Sequence, residues 1–91
     1  SEWSDIMAVY IKKAKLTKPL PTPISLHVTQ FSSRLRDSDN CVVAIKFFGD
    51  VLKKLEYIPD DNPKYIPTDI LSSKKCSKVK EEKMVFIIAP L

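Results

Sequence analysis

Apolar and polar residues change rhythm several times along the chain, and each change marks an element. Trp3, Ile6, Met7, Val9, Tyr10, Ile11, Ala14 and Leu16 recur at three- and four-residue intervals, the spacing of an amphipathic helix, with Glu2 or Ser4 suited to cap it. Pro19, Pro21 and Pro23 forbid its continuation and predict a stiff extended connector. From Ile24 to Phe31 the period drops to two. Ile24, Leu26 and Val28 take one face and Ser25, His27 and Thr29 the other, as in a half-buried strand. His27 on the less apolar face reads as a sheet-packing residue ahead of a catalytic one.

Cys41 to Glu56 is helical in pattern but apolar nearly all round: Val42, Val43, Ala44, Ile45, Phe47, Phe48, Val51, Leu52 and Leu55 cannot share one buried stripe. This helix is expected to touch two surfaces, a sheet and something else. Lys46 interrupts it. Asp60-Asp61-Asn62-Pro63 has turn chemistry. Lys64 to Ser72 alternates loosely and predicts a strand, irregular at Pro67, and the lysine-rich stretch from Ser73 to Lys83 predicts a hairpin arm. Met84 to Ala89 lacks alternation and predicts a strand buried on both faces, ended by Pro90. Together these elements predict a single α+β domain over residues 1–91, a small mixed β-sheet packed against two helices.

Composition narrows the class. No apolar run approaches the roughly 20 residues of a membrane span, and Ser1-Glu2-Trp3 lacks the opening of a signal peptide, so a soluble cytoplasmic protein is expected. Cys41 and Cys76 have neither C-x-x-C nor Cys/His spacing and are expected to be reduced, which argues against zinc. The net charge is +4 although eleven acids are present; four of these, Asp37, Asp39, Asp60 and Asp61, flank one helix. Setting those four aside leaves a basic scaffold suited to a polyanion, nucleic acid before membrane.

Two readings of Arg36-Asp37-Ser38-Asp39-Asn40 compete. Asp39 or Asn40 can cap the following helix. Alternatively, Asp37 and Asp39, two positions apart, point to one side of an extended segment and, with a carboxylate from Asp60-Asp61, make an oxygen site for magnesium or manganese. Such an ion can polarise a phosphodiester and activate water without any nucleophilic side chain. Lys46, seven residues after Asp39, lies nearly two helical turns on and on the same face, either as a solvated lysine or as a phosphate contact. With a single glycine, Gly49, the chain has no glycine-rich phosphate loop.

Arg36-Asp37-Ser38-Asp39-Asn40, the helix containing Lys46 and Asp50-Val51-Leu52, and Tyr57-Ile58-Pro59-Asp60-Asp61-Asn62 together resemble the core of the RusA family of Holliday junction resolvases of bacteria and their prophages. The resemblance covers about a third of the chain, from Arg36 to Lys64. It implies a homodimer that binds four-way DNA junctions and cuts them in pairs with magnesium or manganese. It also implies that Asp37, Asp39 and Asp61, with Asp60 beside them, hold the metal, and that Arg36, Asn40 and Lys46 support the site or contact phosphate. Arg34, Lys74, Lys75 and Lys78 are further candidates for the DNA backbone. The sequence departs from the family where Ser38 replaces a common apolar residue and Glu56 a helix-ending glycine, and the strand that usually precedes the first helix does not occur before Ser1. Rival readings are a nuclease for other branched DNA, a junction-binding module without catalysis, and a structural protein in which Asp39 only caps. Finally, about 16 helical residues at 1.5 Å each separate Asp39 from Asp61 by roughly 24 Å. Two helices paired antiparallel in a dimer are therefore expected to share sites.

Overall fold

The computed structural model describes residues 2–34 and 39–91, with side chains from 4–34 and 41–91. Its order is α1 (Glu2–Lys13), β1 (Ile24–Ser32), α2 (Asp39–Lys54), β2 (Thr68–Lys75), a 3-10 turn Val79–Glu81, and β3 (Lys83–Pro90). The three strands form a mixed sheet in the order β2-β1-β3, parallel between β1 and β2 and antiparallel between β1 and β3. The expected α+β class, a small mixed sheet with two helices, is what the chain forms.

Strand β1 is the centre of the fold, and its alternation works as expected. Ile24, Leu26 and Val28 are almost wholly buried on the side that meets α2. His27 faces the other way, where its Nε2 lies 2.8 Å from Ser72 Oγ and 3.3 Å from Thr29 Oγ1. It is a sheet-packing histidine.

The two surfaces demanded by α2 are the sheet and α1. Helix α2 buries Cys41, Ala44, Ile45, Phe48, Val51 and Leu52 in the common core, to which α1 contributes Met7 and Ile11. Because α1 covers so much of it, only Val43 and Phe47 remain as large exposed apolar residues on α2. That is a much smaller spare face than a helix-to-helix dimer was expected to use.

Helix α2 ends in a Schellman motif. Tyr57 N–H donates to Leu52 O at 2.9 Å, Glu56 N–H to Lys53 O at 2.9 Å, and Glu56 adopts φ 64. Leu52 and Tyr57, the pair that supplies the hydrophobic contact of this motif, are both buried. The glycine position seen as a departure is thus a true left-handed position filled by glutamate.

Five expectations change. Helix α2 begins at Asp39, not Cys41, so Asp39 and Asn40 occupy its first turn, and residues 35–38 before it lie outside the described residues. In α1, Ser4 is inside the helix rather than at its start. Strand β2 begins at Thr68, because Tyr65 and Ile66 both donate their N–H to Asn62 O in a turn and Pro67 cannot serve a ladder. The lysine-rich stretch is no hairpin arm: β2 and β3 lie on opposite sides of β1, so residues 76–82 cross over the end of the sheet. Nor is β3 buried on both faces, for it is an edge strand with Ile87 51% exposed. Among the described residues no helix is long and apolar enough to cross a membrane.

Candidate functional site

The end of β1, from which the chain enters residues 35–38, is fixed from both sides. Ser33 donates its N–H and its hydroxyl to Glu82 Oε2, each at 2.7 Å. Beneath the start of α2, Cys41 Sγ donates to Gln30 Oε1 at 3.3 Å while Gln30 Nε2 donates to Ser32 Oγ at 3.3 Å. All three are buried, and polar groups buried with partners make a specific joint rather than a greasy one. Burial pushes the Cys41 thiol up, as suits an inert packing cysteine, and both cysteines are free.

Asp37 and Arg36 lie outside the described residues, and of Asp39 and Asn40 only the backbone, in the first turn of α2, is described. A carboxylate in a first turn is favoured by the partial positive charge of the helix start, so an aspartate at position 39 suits the helix irrespective of any metal. Helical periodicity sets Asp39, Lys46, Asp50 and Lys53 along one stripe, opposite the buried stripe of Cys41, Phe48 and Leu52. Lys46 is exposed on it, as expected, and Asp50 pairs with Lys54 at 2.9 Å.

After Tyr57 the chain does double back. A methyl group at Gly49 would lie 3.5 Å from Asp61 Cβ and 3.4 Å from Ile66 Cδ1, so Asp61 is laid against the helix flank at Gly49. The return is partial: Gly49 is ten residues beyond Asp39, roughly 15 Å at 1.5 Å per residue. One ion with oxygen bonds of about 2.1 Å is not reached by Asp39 and Asp61 of a single chain.

Asp60 is engaged elsewhere. It accepts from Asp61 N–H at 2.8 Å and Asn62 Nδ2 at 3.0 Å, and pairs with Lys53 Nζ at 3.1 Å. The Asp61 N–H and then Lys53 hold its carboxyl below the usual range. Asp60 is the hub of its own turn. Among the described residues no group of three His, Cys, Asp or Glu side chains is placed to hold a metal. The expected magnesium set is therefore not assembled by the described residues of one chain.

Sequence reasoning missed Asp69. It stands on β2 opposite Leu26, on the α2 side of the sheet, where partial burial raises its carboxyl and the positive charge of Lys46 opposes that rise. Although exposed overall, it is near enough to α2 for both effects. The signal was available only through strand register. Of the remaining basic candidates, Arg34 is exposed at the end of β1, Lys74 and Lys75 point to opposite faces of β2, and Lys78 precedes the 3-10 turn.

No family model, curated protein or solved structure matches the chain.

Proposed function

We propose that this chain is a metal-dependent endonuclease for branched DNA, four-way junctions first, of the RusA type. The observation that carries the reading is the pairing of Asp37-Ser38-Asp39-Asn40 at one end of α2 with the Asp60-Asp61 turn folded back along the same helix, Lys46 lying between them. A magnesium or manganese ion held at Asp37 and Asp39 would polarise the scissile phosphate. Lys46, Arg34 and Arg36 supply positive charge for phosphate on either side, and Asp60 with Lys53 keeps the turn that carries Asp61 in place. The resemblance implies two such sites in a homodimer.

A second reading, a junction-binding module without catalysis, is favoured by the distance that separates Asp61 from Asp39 in one chain. Incubation with a synthetic four-way junction, a fork and a linear duplex, with and without magnesium, decides between them. Magnesium-dependent cutting of the junction supports the nuclease. Selective binding without cutting supports the module, and neither binding nor cutting overturns both.

A further inference from the structure

Among the described residues strand β3 has one unpaired edge, and nothing in it discourages pairing: Met84 to Ala89 contains no charge, no proline and no bulge. Edges of this kind are normally blunted by charges or proline, because a bare apolar edge recruits another strand. Beside it runs an open apolar groove of about 840 Å³ between α1 and the sheet. Its floor is the stacked pair Phe48 and Phe86, 4.4 Å between centroids, and Ile6 and Tyr10 of α1 form the far wall while remaining 45% and 68% exposed.

We propose that this edge and groove are covered by the same surface of a second copy, β3 pairing antiparallel with β3 about a two-fold axis at Phe86. The strand's own sequence argues for that occupant. An axis perpendicular to the sheet requires directly opposed residues to share a face, so the register must be centred on a residue. Centring on Phe86 sets Met84 opposite Ile88, Val85 opposite Ile87, and Phe86 opposite itself. Lys83, the one charged residue of the strand, then meets Ala89 rather than its own copy, so no like charges are opposed. Pro90, which cannot donate to a ladder, falls outside. A register centred on Ile87 would instead bring Pro90 into the ladder opposite Met84.

The contact is of sufficient size. The seven residues from Lys83 to Ala89, at about 3.4 Å each, give a ladder roughly 24 Å long. The groove beside it extends the contact across the helix layer, the scale on which a stable interface of about 800 Å² per partner is built. Ile6 and Tyr10 of the two copies close over Phe86 from either side of the axis. Helix α2, packed on β1 and β2, reaches the seam through Phe48, and its stripe of Lys46, Asp50 and Lys53 lies on the opposite side of the helix. Each acidic stripe then belongs to one chain, and sites shared between antiparallel α2 helices do not arise. This deepens the homodimer part of the reading above, and its test reads assembly rather than cleavage, so the two can fail separately.

Sedimentation equilibrium on the wild-type chain and two double variants provides the test. V85K/I87K opposes lysine to lysine twice across the seam, whereas V85E/I87K opposes glutamate to lysine twice, with both positions on the uncovered face of the sheet. The expected result is a wild-type dimer, a retained dimer for V85E/I87K, and a dissociation constant at least about ten-fold higher for V85K/I87K. A monomeric wild type, or equal dissociation of the two variants, overturns the proposal. Hydrogen exchange on the wild type needs no variant: β3 amides gain protection as concentration rises, and unchanged β3 protection overturns the proposal even if a variant fails to fold.

Discussion

Asp61 rests against the flank of α2 at Gly49, its Cβ 3.5 Å from where a methyl group at position 49 would lie. The distances of 3.4 and 3.5 Å nevertheless leave ordinary contact room for one methyl group. Gly49→Ala is therefore expected to stabilise the fold by about 0.5–1 kcal/mol through helix propensity, with the turn unmoved. Gly49→Leu should displace the turn and destabilise. Thermal unfolding followed by circular dichroism measures both, and a destabilised alanine variant would show that the contact is tighter than described.

Glu56 occupies a left-handed backbone position that favours glycine. Such a conformation costs a residue with a Cβ roughly 1–2 kcal/mol, part of which glycine loses again to its greater freedom in the unfolded chain. Glu56→Gly should gain about 1 kcal/mol and raise Tm by about 4–8 °C in a domain of this size, while Glu56→Val should lower it. Equal melting of all three proteins would remove the strain argument.

Under the nuclease reading, Asp39→Asn deletes a ligand while leaving a residue well tolerated near a helix start. Even groups behind a metal ligand change affinity or activity by about 10- to 100-fold, so cleavage should fall at least about 100-fold. Junction binding should hold or tighten because repulsion toward phosphate is reduced. Wild-type cutting by the variant would leave Asp39 as a first-turn carboxylate only.

DNA binding through backbone charge should weaken steeply with salt. Because Lys74 and Lys75 face opposite sides of β2, they cannot both serve one flat contact. Single substitutions to glutamine should separate them: the one on the DNA side reduces affinity and salt slope alike for every DNA shape, and the other changes neither. Equal effects from both would indicate DNA wrapping around the β2 edge.

The carboxyl of Asp60 is held low, first by the Asp61 N–H and then by Lys53. The sign follows directly. A depressed folded pKa contributes stability above the ordinary carboxylate value, and that contribution is lost as pH falls through the depressed pKa. Wild type should exceed Asp60→Asn in stability at neutral pH, and the gap should close on acidification below the ordinary value of 3.8. A gap that persists in strong acid would place the effect in the turn's hydrogen bonds alone.

Periodicity made β1 and α2 legible. The nearly all-round apolar character of α2 correctly demanded a second surface, which proved to be α1. The unbroken apolar run in β3 misled, since the same run describes a strand buried on both faces and an edge strand that leaves Ile87 exposed. Topology was hidden for another reason. Proximity in sequence suggested that β2 and β3 formed a hairpin, but both pair with β1 instead. The site was legible as residue types and illegible as distances: no local signal showed that Asp61 returns to the helix at Gly49 or that strand register brings Asp69 near Lys46.

The central position of β1 also dictates when this protein can fold. Its partners on one side begin with Thr68 opposite Ser25, and on the other with Pro90 opposite Ile24. Neither edge of β1 has a neighbour from its own part of the chain. During synthesis both edges of the strand therefore stay without their ladder partners until residues 68–75 and 83–90 have been made. Contacts of such long sequence separation fold slowly.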